Sequence, residues 1–317
     1  MTNYKFIVEH PNQRLDHYLV SRLPKYSRSK IQDYIKKGFI TIDGKPTKSS
    51  FILNGKEIIL CTIDEFDDNV DNILAEKIDL DIIYEDTSLI VINKKAGIVV
   101  HPGNGNKSGT LLNGLRYHFT ELSNKIPSRP GLVHRLDKDT SGVILCAKNN
   151  LTHDHIAEQF SCRSVKKEYF ALVWGEIKNN GYVDTNIVRH PVNRKIFTSA
   201  ENAGRKSYTE YELIKYYPPF SFIKVTPKTG RTHQIRVHMQ SIGHPIVNDL
   251  FYGGGFKKAK SFHIKYSNDI KNLFKVIKRL CLHAYSITIT HPLLNEKSTY
   301  YAPLANDIKL ALNKLEE

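Results

Sequence analysis

The chain has 317 residues, with 46 Lys and Arg against 32 Asp and Glu and a formal net charge of +14 at neutral pH. That is long for one ordinary domain, and the cationic excess suggests a polyanionic partner. No run of some 18 apolar residues exists, the opening M-T-N-Y-K-F lacks an apolar signal core, and the cysteines at 61, 146, 162 and 281 show neither C-x-x-C spacing nor local pairing. Membrane insertion, a zinc site and a disulfide framework are therefore not expected, and a reducing cytoplasmic setting is.

Charge is unevenly placed. Residues 1–60 hold 11 basic and 5 acidic residues, net +6; residues 61–90 hold 1 and 10, net −9; residues 91–317 hold 34 and 17, net +17. Two basic bodies thus flank an acidic stretch. In the first, Ser27 can cap a helix in which Ile31, Tyr34 and Ile35 have the three-four spacing of a buried face, while Arg28, Lys30, Lys36 and Lys37 project elsewhere and Gly38 ends it. Phe39 to Lys45 then reads as a strand and tight turn, and Lys56 to Leu60 as another strand. With Arg14-Leu15-Asp16 ahead of them, residues 13 to 60 resemble an S4 RNA-binding domain. That resemblance implies RNA contacts from Arg28, Lys30, Lys36 and Lys37, although a merely solvated helix face carries the same charge pattern. Between Gly38 and Pro46 lies a near miss for a phosphate-binding loop, one residue too long and with Pro46 where a hydroxyl belongs, so nucleotide hydrolysis is not expected.

The run Asp64-Glu65-Phe66-Asp67-Asp68-Asn69-Val70-Asp71-Asn72 has few apolar residues and like charges that repel, the pattern of an extended linker. The expected organisation is an S4-like domain over 1–62, an acidic linker over 63–78 and a catalytic domain over 79–317. Beyond the linker, strand-like runs fall at Leu89–Ile92, Gly142–Ala147, Tyr169–Val173, Ser207–Ile214, Ser221–Thr226, Gln234–Val237 and Ser286–Thr290. Helical patterns fall near Thr110–Phe119, Thr152–Cys162, Arg236–Ile242 and Asn306–Leu315, the third overlapping a strand reading. The mixture argues α+β. Five His-Pro dipeptides, at His10, His101, His190, His244 and His291, recur irregularly and read as turns.

The chemistry-bearing segment runs from Pro130 to Lys148. There Asp137 is boxed in by His134, Arg135, Asp139, Thr140 and Ser141 directly ahead of an apolar strand. A carboxylate in such a turn can be kept ionised by cations and hydroxyls yet shielded from bulk water, which suits a nucleophile or base. Asp137, Asp139 and Ser141 also resemble the opening of a calcium loop, but Lys148 stands where the bidentate Glu belongs and a strand follows instead of a helix. A structural turn of Asx and Ser/Thr side chains remains the plainer alternative. A second cluster, Gly230-Arg231-Thr232-His233-Gln234-Ile235-Arg236-Val237-His238, concentrates two arginines and two histidines, and a guanidinium from it could pair with Asp137.

Taken together, His134-Arg135-Leu136-Asp137 with Thr140-Ser141-Gly142 resembles the signature of the RluA-type pseudouridine synthases. Further blocks follow in the order that family shows: Tyr84-Glu85-Asp86, Asn93-Lys94, Ala96-Gly97, His101-Pro102-Gly103, Lys167 to Val173, Gly230 to His238 and Gly243-His244-Pro245. The likeness spans about residues 79 to 305, departing at Lys95, where the family commonly has Pro, and at Asn248, where it often has Gly. It implies a catalytic body built on a long mixed, mostly antiparallel sheet with flanking helices. It also implies isomerisation of uridine to pseudouridine without cofactor or metal: Asp137 acting at the sugar, Tyr169 stacking on the uracil, Arg231 holding Asp137 ionised, and Arg135, with His134 and Arg236, on the RNA or in the space left by the flipped base. Leu145 and Ile235 read as packing.

An S4 domain joined to this catalytic type points to structured large-subunit ribosomal RNA and a monomeric enzyme. Transfer RNA is the runner-up substrate. A non-catalytic RNA-binding assembly factor, or a metal-dependent nuclease using Asp137 and Asp139, are the readings from other classes.

Overall fold

The computed structural model describes residues 2–24, 26, 28–63, 73–103 and 105–317. The expected helix cap Ser27 and the acidic run 64–72 lie outside the described residues. The chain divides into two compact units, Met1–Asn72 and Ile73–Glu317.

In the first unit, β1 (Thr2–Ile7), β2 (Gln13–Arg14), α1 (Leu15–Arg22), α2 (Arg28–Lys36), β3 (Ile40–Ile42), β4 (Lys45–Pro46), β5 (Ile52–Leu53) and β6 (Ile58–Ile63) follow in order. A four-stranded sheet, β1-β6-β3-β4, packs against the two helices through Leu15, Leu19, Ile31, Tyr34, Ile35, Ile40 and Ile59. The three-four spacing in α2 is thus a core face. Asp16 sits among these apolar groups fully buried, and three side chains converge on it: Arg14 through two bonds of 3.0 and 3.1 Å, Arg28 at 2.9 Å and Gln32 at 2.6 Å. Burial opposes its ionisation, but the bonds from Arg14, Gln32 and Arg28 outweigh burial and hold the carboxyl well below its usual range. Two of the expected RNA ligands are therefore already engaged, Arg28 by Asp16 and Lys37 by Asp33 at 2.9 Å, while Lys30 lies 5.0 Å from the Tyr34 ring centroid and Lys36 is exposed.

The second unit is ordered β7 (Ile82–Glu85), β8 (Leu89–Lys94), α3 (Leu111–His118), β9 (Ser141–Ala147), α4 (Asn150–Ser161), β10 (Lys166–Trp174), β11 (Gly181–Arg189), β12 (Phe197–Ala200), β13 (Arg205–Tyr217), β14 (Phe220–Pro227), α5 (Gln234–Ser241), α6 (Ser267–Val276), β15 (Leu282–Thr290), β16 (Lys297–Tyr301) and α7 (Asn306–Glu316). One ten-stranded sheet runs β12-β11-β13-β14-β10-β15-β9-β8-β7, with β16 on β15. Every pairing is antiparallel except β15 with β9. Strand β9 is buried along its whole length, which explains its unbroken apolar run Val143-Ile144-Leu145. Two apolar clusters cover the halves of the sheet, one around Trp174, Phe220 and Leu273 and the other around Ile90, Leu112 and Ile144, and Tyr169 packs against both.

The parallel β9–β15 seam decides where the site can form. Gly142 takes φ +113°, and a Cβ there would meet the Ala284 carbonyl oxygen at 2.1 Å, so only glycine lets the strands approach. Beside it, Ser141 Oγ lies 2.9 Å from His283 Nδ1, whose other nitrogen faces the Ala302 carbonyl at 3.2 Å. The ring is neutral, donating from Nε2 and accepting the serine proton at Nδ1.

The structure corrects the strand expected at Gln234–Val237. Those residues open helix α5, because His233 turns the chain through a left-handed conformation (φ 57°) and Gln234 closes the turn with four side-chain bonds: it accepts from Thr229 Oγ1 and Arg231 N–H and donates to Tyr208 O and Thr209 Oγ1. The polar-apolar alternation there is the edge of a buried helix, with Ile235 and Met239 one turn apart. Asn248 takes φ 60°, a conformation Asn tolerates where the resembling family often has Gly.

His238 and His283 are both fully buried, and burial pulls each down to about 4. An unfolded histidine titrates near 6.5, so between about 6.5 and 4 the unfolded chain binds protons that the native one refuses. Stability of the second unit should therefore fall as pH drops through that window, by about 1.4 kcal/mol per pH unit for each histidine. Urea unfolding between pH 7 and 5 measures it, and His283→Gln should flatten the slope by about one proton's worth.

Candidate active site

The turn before β9, strand β10 and the β14–α5 connection meet around a cavity of about 130 Å³ lined by Arg135, Asp137, Lys167, Tyr169, Arg231 and His233, among others. Asp137 is partly exposed there, its side chain 21% accessible. Its Oδ2 accepts from Arg236 Nη1 at 3.1 Å. The same guanidinium forks onto Asp249, Nε to Oδ2 at 2.7 Å and Nη2 to Oδ1 at 2.9 Å, and stands 4.8 Å from the Tyr252 ring centroid. Asp249 is fully shielded and also accepts from the backbone N–H groups of Phe251 and Tyr252. Burial works against the Arg236 charge, but the two carboxylates, Asp249 foremost, raise its pKa further, so one fixed cation serves two anions.

This corrects the role expected for Arg231, and that expected for Arg236. Arg236, taken from the sequence as an RNA ligand, is 7% exposed and spent on Asp137 and Asp249. Arg231, expected to hold Asp137, donates Nε to the Lys206 carbonyl at 3.3 Å and lines the cavity mouth. The reason is local geometry: Arg231 lies in the turn ahead of α5, whereas Arg236 is on the helix face that looks back at Asp137. His134 is corrected too. Its Nε2 accepts the Leu145 N–H at 2.8 Å and its ring packs 5.0 Å from Phe160, so desolvation, with Lys167 nearby, drops its pKa to about 3 and it acts as a neutral brace. Arg135 is exposed at the cavity. Leu145 and Ile235 are buried.

Several site residues escaped the sequence reading. His233 Nε2 lies 3.9 Å from Asp137 Oδ2, and its Nδ1 faces the Tyr252 hydroxyl at 2.8 Å. That hydroxyl also accepts from Phe197 N–H, so with its own proton given to Nδ1 the neutral imidazole carries its hydrogen on Nε2, toward Asp137. Burial lowers the His233 pKa more than the neighbouring Asp137 raises it. Lys94 is 1% exposed, and its ammonium donates to the carbonyls of Lys95, Ile98 and Lys138, the last one residue beyond Asp137. Arg279 grips Asp307 through two bonds and places Nη1 on the carbonyls of Asp139, Leu280 and Leu282. The backbone around Asp137 is thus pinned from two remote segments. In the sequence, the one sign of this was a lysine closing the apolar run Leu89-Ile90-Val91-Ile92.

Tyr169 lines the cavity with its phenol desolvated, which raises its pKa, with Asp137 adding to the effect. Among the described residues no group of three or more His, Cys, Asp or Glu is placed to hold a metal ion, and no helix is long and apolar enough to cross a membrane. Cys61, Cys146 and Cys281 are buried and free, and Cys162 is exposed.

Removing Arg236 leaves Asp249 buried without its cation, a change that typically costs about 3–5 kcal/mol, whereas Arg231 pairs with no carboxylate among the described residues and should cost under about 1 kcal/mol. Arg236→Ala should unfold at markedly lower urea than wild type and Arg231→Ala close to it. Equal midpoints for the two variants would contradict the charge chain.

The chain matches the RNA pseudouridylate synthase family over residues 88–241 and the S4 domain over 13–59. It is 39% identical over 303 residues to a protein of Neisseria meningitidis named ribosomal large subunit pseudouridine synthase D, covering 95% of this chain and 78% of that one. It is 37% identical to the protein of that name from Pseudomonas aeruginosa, covering 96% and 92%, and 39% identical to an uncharacterized RNA pseudouridine synthase of Chlorobaculum parvum, covering 95% and 94%. Two solved human structures share the fold: RNA pseudouridylate synthase domain containing 1, at TM-score 0.55 and 24% identity over 76% of this chain and 96% of that one, and domain containing 4, at 0.57 and 24% over 74% and 92%. With these relatives and the Asp137 site, the chain belongs to the RNA pseudouridylate synthase family.

Proposed function

We propose that this protein isomerises specific uridines of structured large-subunit ribosomal RNA, with Asp137 as the group that attacks or deprotonates the sugar. The observation that carries the reading is a partly exposed carboxylate held by Arg236 in a cavity it shares with Tyr169. A base inside a folded RNA cannot reach such a cavity, so the target nucleotide leaves its stack first, at a cost of a few kcal/mol that is least in loops. In this reading Arg135, exposed beside the cavity, occupies the vacated space, and Tyr169, which lines the cavity, stacks on the uracil. With the base seated, Asp137 meets the sugar while Arg236 and the Nε2–H side of His233 fix its orientation. Net isomerisation changes no oxidation state, and acid-base and charge-stabilising groups suffice for it.

The ribosomal substrate rests on the printed names of the relatives and on the S4 unit. Lys36 is exposed on α2, and the wider positive charge of the chain suits a phosphate backbone. In this reading the S4 unit supplies affinity and the catalytic unit supplies chemistry.

Two outcomes test the proposal. Asp137→Asn keeps the shape and removes the charge, so pseudouridine formation should be abolished while RNA affinity stays within a few-fold. Carbodiimide-dependent primer extension across ribosomal and transfer RNA, with wild type and variant, identifies both product and substrate; turnover by the variant would remove Asp137 from its role. Reversing charge at Lys36 and Lys37 should weaken binding and lower the log affinity against log salt slope by about one unit per lost phosphate contact, with the rate at saturating RNA retained. An unchanged slope would make α2 a solvated face.

A further inference from the structure

Lys167 is unused by the mechanism above, yet it lines the same cavity as Asp137 and Tyr169. It stands two residues before Tyr169 on β10, so both side chains leave the strand on one face. Its ammonium donates to the Thr229 carbonyl at 3.3 Å, lies 5.9 Å from the Phe160 ring centroid, and would be 3.9 Å from a Cβ placed on Gly230. Among the described residues no carboxylate oxygen lies within 4.0 Å of it. Desolvation pulls its pKa down to about 8. Lys94, the other withdrawn lysine near Asp137, spends all three protons on carbonyls, whereas Lys167 has one such bond and two protons left over. A desolvated cation without a counter-ion is costly, and it is retained where an anion arrives.

That anion can be derived from the reaction. When the N1–C1′ bond breaks, both electrons stay with the base, and the negative charge spreads over N1, O2 and O4. The sugar compensates either by forming a C1′–O bond to Asp137 or by losing its C2′ proton to Asp137 and forming a C1′–C2′ double bond. In the second half, C5 bonds to C1′, any Asp137 ester or transferred proton is returned, and the proton that C5 carried ends on N1. Whichever route the sugar takes, a uracil anion is detached and held. We propose that Lys167 hydrogen-bonds this anion and neutralises it, making Lys167 a catalytic residue of the isomerisation; the inference rests on that reading of the site. A phosphate is the weaker candidate, because phosphates stay on the solvated strand, where Arg135 and Arg231 already stand at the cavity. Since uracil is neutral before the bond breaks and charged after, the interaction strengthens toward the transition state and should appear in rate instead of affinity.

The test compares full-length wild type, Lys167→Met and Lys167→Arg in single-turnover assays on two RNAs, one with uridine and one with 5-fluorouridine at the target position. The readout is loss of the starting nucleoside after digestion. Fluorine makes the departing base a weaker base, so its anion needs less help. Lys167→Met should lose about 10²–10³-fold in rate on uridine at saturating RNA, the loss typical of removing one charge-stabilising donor, with affinity within a few-fold. Its deficit should shrink by at least about tenfold on 5-fluorouridine, and Lys167→Arg should recover most of the rate. A folded Lys167→Met with the same deficit on both RNAs would overturn the proposal, as would a loss confined to affinity with a reduced salt slope, which would make Lys167 a phosphate ligand. Wild-type protein that converts no uridine in any RNA would sink the isomerase reading itself and this role with it.

Discussion

The site depends on one guanidinium placed between two carboxylates. Asp249 is fully shielded and holds Arg236 by two short parallel bonds, so the cation is fixed before any substrate arrives. Asp137 then receives a single bond from a donor that cannot turn away. Bidentate geometry makes arginine necessary here: a lysine ammonium could neutralise one carboxylate, but it could not hold a plane against Asp249 and still present a third N–H to Asp137. The charge sum of the trio is −1, and the surplus is carried by the carboxylate that the cavity exposes.

A fixed donor is of use only if the acceptor is fixed as well. The turn carrying Asp137 has no regular structure until Ser141, so its position is set from outside: by Lys94 on the Lys138 carbonyl, by Arg279 on the Asp139 carbonyl, and by the Ser141–His283 contact at the parallel seam. The clamps join the turn to β8 and to the segment that opens β15, and Arg279 ties it through Asp307 to the last helix, α7. Cations on backbone carbonyls suit this task, because they fix the loop without competing for the Asp137 carboxylate. The sheet order supports the same end, since β10, bearing Tyr169 and Lys167, pairs with β15, and β15 pairs with the strand that Asp137 enters.

How far the sequence reveals this depends on range. Local signals were legible: the buried run of β9, the core face of α2, and the polar box around Asp137 follow from residues within a few positions of one another. The wrong partner for Asp137 came from a six-residue segment in which alternation and helical period overlap, and the left-handed residue that settles the matter, His233, is not a glycine and gives no sequence sign. Lys94, Arg279, His283 and Asp249 were missed for a different reason. Their partners, backbone carbonyls, a carboxylate, a serine hydroxyl and a guanidinium, are brought close only by the fold, and composition cannot tell a buried lysine from a surface one.

The two units use one device for different ends, and exposure separates them. In the S4 unit, Asp16 is fully buried and receives Arg14, Arg28 and Gln32 at once, and the result is a brace between α1 and α2. Asp249 is the same kind of brace. Asp137 has the same chemistry with one arginine bond, a side chain 21% accessible, and a cavity on its free side. A buried carboxylate engaged by several donors is structural whatever its charge, whereas one that accepts a single arginine bond beside a cavity keeps free acceptor capacity for the role proposed for it. The same comparison sorts the lysines: Lys94, saturated by three carbonyls, holds the loop, and Lys167, with one carbonyl and no carboxylate partner among the described residues, lines the cavity that Asp137 shares with Tyr169.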